Sequence, residues 1–364
     1  MSAWDPRTAN SPTSSSADRA RCTRRVFLTG TLGAAAAFLS GCGGAPNKPP
    51  KAQPEPTKHL EPSAVESLDL LVPLPGLRWL VIARPKEIAS MLWLEPSISL
   101  LLDKERLDHT AVSTGFDLRT LPEAVWAGYR AGADEEDASL QLVRHANDPL
   151  AIERLFRDRL STDISRSIDD DRVIRVSGRI GKTVHALATV GSDVVCQQQD
   201  GSLDRGPCRV AALLAQGKLK RTRSVFEDEA MGVLAKRFES APLQLFAPGP
   251  FEEDVARGVR GLLGAATAVG AAFRTSARKS LLVEIVVTGD FSTSGAEAVQ
   301  KLAGSWDDLA GRPLGHLLGL DAAVGPVKQA FANEAVSIVV ELDPHKLAKG
   351  LADATSSQIR EIMR

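Results

Sequence analysis

The chain predicts an α+β fold: two related modules of antiparallel sheet with helices packed on one sheet face. Three observations lead there. Short runs alternating apolar and polar residues recur and are closed by Gly or Pro, as in RWLVIAR (78–84), which stops at Pro85. Between them lie segments with helical spacing and recognisable starts. After Ser224 the same order of elements begins again.

Arg78 to Arg84 reads as a strand. Lys86 to Leu102 carries Ile88, Met91, Leu92 and Leu94 at helical spacing, interrupted by Pro96. A helix-loop segment (Lys104 to Leu121) precedes two strands, Ala124 to Ala131 and Ala138 to His145. They are joined by the acidic loop Gly132-Ala133-Asp134-Glu135-Glu136-Asp137. Asp148 and Pro149 then open the helix PLAIERLFRDRL. An aspartate accepts from the free N–H groups of the first turn, and proline loses nothing there. A meander follows (Arg172 to Arg179, Thr183 to Val190, Asp193 to Gln198), then a short helix (Arg209 to Gln216) and the basic link GKLKRTRS.

The second pass runs through a helix (Phe226 to Phe238), a strand PLQLFA (242–247) stopped by Pro248-Gly249-Pro250, and a helix (Phe251 to Leu263). The strand AVGAAFR (268–274) comes next. It matches AVWAGYR (124–130) as A-V-x-A-small-aromatic-R, and each is followed by a polar loop, an apolar strand and a helix. This reads as an internal duplication. A helix pair (Ser305 to Ala332), a strand (Ala335 to Leu342) and a helix opened by Asp343-Pro344 complete the chain. The organisation is therefore residues 1–41 and 42–62 ahead of the body, module 1 over 63–220 and module 2 over 221–364.

The first forty-odd residues have a different character. Arg21, Arg24 and Arg25 precede an apolar run from Phe27 to Leu39, closed by Leu39-Ser40-Gly41-Cys42. A positive front, an apolar middle of about 7–15 residues and a small-residue end describe a secretory signal rather than a spanning helix. Thr23-Arg24-Arg25-Val26-Phe27-Leu28 resembles the bacterial twin-arginine export motif, with Thr29 where Lys often stands. Leu39-Ser40-Gly41-Cys42 resembles the lipobox of bacterial lipoproteins. That resemblance implies a diacylglycerol on the Cys42 thiol, cleavage before Cys42 and acylation of the new amine. Each buried methylene contributes about 0.8 kcal/mol, so several chains on one cysteine anchor without a transmembrane helix. Gly43, in place of the Asp associated with inner-membrane retention, leans the expectation towards the outer membrane. The run GGAPNKPPKAQPEPTKHLEP (43–62) then reads as an extended polar tether. The body loosely resembles exported bacterial proteins of unknown function built from paired α+β modules. That likeness is one of layout and implies no activity.

The net charge of −1 gives no imbalance that would point to nucleic acid, and the single Tyr and few aromatics argue against a carbohydrate-binding face. Only Cys196 and Cys208 remain in the body. In an oxidising compartment an even number of thiols suggests a disulfide, whose loop would contribute roughly 3 kcal/mol if the geometry closes; two separate core residues are the alternative.

Complete catalytic patterns are missing. Gly181-Lys182-Thr183 ends like a phosphate loop, but Val176 stands where the first Gly belongs, so it reads as a turn. Ser276-Ala277-Arg278-Lys279 fits Ser-x-x-Lys without its companion motifs. The six histidines show no metal-ligand spacing, and the acidic runs 134–137 and 169–171 lack a calcium loop's pattern. Lys218, Lys220, Arg221 and Arg223 form a basic cluster that could contact an anionic surface or serve as a connector. The expectation is a non-enzymatic envelope lipoprotein without cofactor. It is held to the membrane through Cys42 and binds an envelope protein or an apolar ligand between its modules. The alternatives are an exported hydrolytic or cofactor-carrying enzyme and a purely structural envelope component.

Overall fold

The structure is a computed structural model and describes residues 61–96, 99, 104–130, 137–169, 173–203, 205–220, 224–317, 319–321 and 323–355. The signal, Cys42 and nearly all of the tether lie outside these residues.

The strands are β1 (Leu77–Ala83), β2 (Glu123–Tyr129), β3 (Ala138–Arg144), β4 (Thr162–Asp169), β5 (Val173–Ile180), β6 (Thr183–Val190), β7 (Val194–Gln199), β8 (Leu243–Pro248), β9 (Ala266–Thr275), β10 (Leu281–Gly289), β11 (Lys328–Ala332) and β12 (Ala335–Leu342). The helices are α1 (Pro85–Ala89), α2 (Lys104–Thr114), α3 (Pro149–Arg159), α4 (Pro207–Ala215), α5 (Glu229–Phe238), α6 (Glu253–Ala256), α7 (Gly295–Ala310), α8 (Pro313–Leu317) and α9 (Pro344–Thr355). The fold is α+β, as the sequence predicts.

All strands join one 12-stranded sheet in the order β11-β12-β10-β9-β8-β1-β2-β3-β7-β6-β5-β4. β1 and β8 pair antiparallel, with Leu80 opposite Phe246 and Ala83 opposite Leu243. From that seam the order repeats outwards. β8-β9-β10-β12 runs one way and β1-β2-β3-β7 the other, so one backbone ladder joins the two halves through β1 and β8.

Helices cover both faces rather than one. Along β10, Val286 belongs to the cluster containing Leu234 and Phe238 of α5, whereas Val283 and Val287 join Val299, Leu302 and Trp306 of α7. Successive strand side chains point to opposite faces, so α5 and α7 lie on opposite sides. In the first half α4 shares the α5 face, with Cys208, Ala211 and Ala212 against Leu142, Ala188 and Cys196. α3 packs on β5 and β6 from the other side.

The duplication is one of element order, not of matched residues. Val125, Ala127 and Tyr129 of β2 face the α5 side, while on β9 it is Ala268 and Ala272 that do so. Aligning AVWAGYR with AVGAAFR therefore puts equivalent letters on opposite faces, which a period of two forbids. Gly270 confirms the parity: a Cβ there would stand 2.4 Å from the Phe238 ring on α5.

Two strands carry no alternation that the sequence reveals. β4 is an edge strand with mostly exposed residues, and β11, expected to be helical, is exposed along its whole length. Phe251 to Leu263, expected as one helix, is α6 followed by a 3-10 segment (Val259–Ala265) broken at Arg260 and Gly261, both at positive φ.

Candidate functional site

The seam between the halves carries a cleft of about 430 Å³ on the α5 face. It is lined by Ser67, Asp69, Ile82, Arg84, Pro122, Glu123, Arg144, Phe226, Ala235, Glu239 and Gln244. Each wall has a local cause. Ser67 and Asp69 are brought in by a 3-10 turn (Leu68–Leu71), held because Leu68 and Leu71 are buried in the core. Arg84 is the residue after β1, beside Pro85, which stops the strand. Ala235 and Glu239 come from α5 and its end, fixed by the Asp228 cap, whose carboxylate accepts from the N–H groups of Ala230 and Met231.

The charged groups of the cleft are mostly tied to one another. Glu123 accepts from the Leu68 N–H at 3.1 Å and from the Ser67 hydroxyl at 3.2 Å, and it pairs with Arg144 at 3.4 Å. Arg144 also pairs with Asp193 at 2.8 Å and donates to the Val65 carbonyl at 2.9 Å. Arg84 donates to the Glu239 carbonyl at 2.8 Å, and the Gln244 amide donates to Ala241 O at 3.0 Å. Ser67 donates to the Asp69 carboxylate. A buried charge needs such partners to stay in place. Glu239 is exposed, and its carboxylate has no partner among these contacts. The cleft therefore offers a braced polar surface with Phe226 and Ile82 at its floor.

Two titratable groups near the first-half sheet are shielded. His145 is buried, and burial holds its imidazole below the usual histidine range against the opposing charge of Asp193. Burial pushes the Tyr129 phenol well above its ordinary range. Neither faces the cleft as an acid or base.

The residues expected from sequence are placed as follows. Arg24, Arg25, Phe27, Leu28, Leu39, Ser40, Gly41 and Cys42 lie outside the described residues, as do Arg221 and Arg223. Lys218 and Lys220 sit on an exposed connector after α4. Cys196 and Cys208 do come together, but as free thiols rather than the expected disulfide. The Cys208 thiol donates to the Cys196 carbonyl at 3.5 Å, and the Cys208 N–H is held by the buried Gln198 side chain at 3.0 Å. Burial pushes Cys208 up to about 12 and Cys196 well above its usual value, away from the thiolate that attacks in disulfide chemistry. Gly181-Lys182-Thr183 is the β5–β6 turn. Ser276 to Lys279 is the β9–β10 turn, where the Ser276 hydroxyl accepts from the Arg278 and Ser280 N–H groups. Asp169 pairs with Arg175 at 2.9 Å, and among the described residues no cluster could hold a metal ion. Among them, too, no helix is long and apolar enough to cross a membrane.

The cleft residues escaped the sequence reading because they are scattered from Ser67 to Gln244 and assembled only by the β1–β8 pairing. No local spacing announces them.

No protein-family model and no curated protein matches the chain. Among solved structures, two crystal forms of the protein TP0453 are similar to it, each at 9% identity. Form III covers 79% of this chain and 98% of that one with a TM-score of 0.46, and form I covers 80% and 99% with a TM-score of 0.45.

Proposed function

We propose that this is an exported, lipid-anchored binding protein of the bacterial envelope, tethered through Cys42, that holds a segment of a partner protein in the cleft at the β1–β8 seam. The observation that carries this reading is the chemistry of the cleft. Its lining mixes Asp69, Arg84, Glu123, Arg144 and Glu239 with a small apolar floor. A purely apolar ligand would strip water from those charges without replacing their hydrogen bonds, so an apolar occupant is disfavoured. A peptide segment brings its own N–H and C=O groups and charged side chains and suits such walls. The reading is non-enzymatic because the polar groups there brace one another instead of pairing a nucleophile with a base.

The anchor and the cleft are tested separately. Metabolic labelling with palmitate should mark the wild type and not Cys42→Ala. A photo-crosslinking residue in place of Ala235, in the full chain in its own membrane, should give one discrete protein adduct. The same residue in place of Ile164, exposed on the edge strand β4 at the end of the sheet, should not. No adduct at Ala235, or the same adducts at both positions, would remove the cleft from consideration.

A further inference from the structure

On the opposite sheet face from the cleft, the first half holds a group that no described residue balances. Arg159 ends α3. Its Nε is shielded from water and meets no acceptor among the described residues, and its guanidinium lies 5.4 Å from the centroid of the Phe156 ring. Other part-buried arginines of the body meet carboxylates: Arg144 meets Glu123 and Asp193, Arg166 meets Glu153, and Arg237 and Arg274 meet Glu284. Among the described residues burial alone depresses Arg159, and no carboxylate acts against it. The end of α3 supplies about half an elementary charge, less than a counter-ion.

The neighbour of Arg159 is just as incomplete. Leu160 and Thr162 pass directly over Gly178, whose added Cβ would lie 2.9 Å from Thr162 O and 3.0 Å from Leu160 Cδ1. Gly178 stands opposite His185, so the end of α3 packs over the strand pair that carries that imidazole. The His185 Nδ1 is shielded and has no partner among the described residues, and burial together with the Arg159 charge holds the ring below its usual range. From His185 the same face continues through Gln199 on β7 to Ser139 on β3, each directly opposite the next. Opposed side chains of one face have Cβ atoms about 4.5–5.5 Å apart, so this is one continuous row of hydrogen-bonding groups.

We propose that Arg159 and His185 form a binding site for an oxyanion, a carboxylate or phosphate group, on a polar ligand lying along the row to Gln199 and Ser139. An oxyanion supplies the acceptor that Arg159 Nε lacks, bonds the imidazole once it is protonated, and turns the repulsion between the two side chains into shared attraction. Charge-assisted bonds of this kind are roughly twice as strong as neutral ones.

The experiment is NMR of the full chain in detergent with histidine-labelled side chains, titrated with inorganic phosphate, with acetate and with chloride at matched ionic strength. The His185 ring signals should move saturably with phosphate or acetate and not with chloride, and the apparent pKa of His185 should rise. Arg159→Gln should weaken the response at least tenfold. Vesicles of phosphatidylglycerol, against phosphatidylcholine, separate a lipid headgroup from a soluble source: a His185 response to the anionic vesicles assigns the site to lipid, and a response to free anions alone assigns it to a soluble ligand. Should Arg159→Gln fail to fold, His185→Gln tested by thermal unfolding replaces it, with the phosphate-induced rise in Tm expected to vanish. Equal shifts with chloride and phosphate, or a variant that responds like the wild type, overturn the site.

Discussion

The two halves of the sheet use the same order of elements for different ends. On the α7 face of the second half, β9, β10 and β12 present Val269 and Phe273, Val283, Ile285 and Val287, and Val336, Ile338 and Val340, under Leu262, Leu263, Leu302 and Trp306. The corresponding face of the first half is mixed. β3 offers Ser139 and Gln141, β7 offers Gln197 and Gln199, and β6 offers His185 beside Leu187. One copy has sealed that face with an apolar helix. The other has left part of it polar. In a duplicated fold, the copy that keeps expensive polar side chains on its sheet is the one to search for ligands, because the other shows that an apolar solution was sterically available.

The contrast can be broken at several strengths. Phe238→Ala should have the largest effect. The ring is fully buried against Gly270 and Phe246, and emptying such a site costs about 3–5 kcal/mol. A lower urea midpoint at unchanged slope checks it. Next is Glu284, which joins α5 to the sheet by pairing with Arg237 at 2.6 Å and with Arg274. Glu284→Gln leaves two guanidinium groups without their carboxylate. Both arginines are part-exposed, so the cost is nearer about 1–3 kcal/mol than that of a fully buried pair.

Acid should then discriminate between the halves. His145 and His185 belong to the first half, and both are held below the ordinary value of 6.5. The unfolded chain takes up those protons first, so stability is level above about pH 6.5 and declines as pH falls through the window below it. Urea midpoints measured from pH 7.5 down to 5 should decline, and His145→Gln should flatten that slope. A midpoint that rises on acidification would contradict the assignment. The smallest effect belongs to Arg159. Arg159→Gln in anion-free buffer should leave stability unchanged or raise it slightly, since it removes a shielded charge that no described carboxylate offsets. Arg166→Gln, which strips a partner from the buried Glu153, should cost clearly more.

The sequence made much of this fold legible. The strands around RWLVIAR, the hairpin ending at His145, the β5–β7 meander and the Asp148-Pro149 helix start all fall where alternation and capping put them, because each reflects a local rule. The Asp148 carboxylate accepts from the Leu150 N–H at 3.0 Å, as the cap requires. β4 and β11 were hidden because an edge strand with exposed side chains needs no apolar alternation. The second helix-covered face was hidden because alternation gives a strand two faces and does not say what covers the other. The seven-letter match between AVWAGYR and AVGAAFR found a real repeat of elements through residues that are not structurally equivalent. The cleft and the Arg159–His185 site were illegible for a simpler reason: their members meet only through pairings between distant strands.

The β1–β8 seam has a consequence for how the chain folds. Most neighbouring strands lie close in sequence, but this pairing joins Leu80 to Phe246. Loop closure over such a separation is slow relative to local hairpins, so each half gathers first and the seam zips late. Until it does, β1 and β8 are open edges of matching length and direction, and β8 of another molecule presents the same template as β8 of its own. Refolding at rising concentration should therefore divert material into strand-exchanged dimers, and dilution should recover monomers.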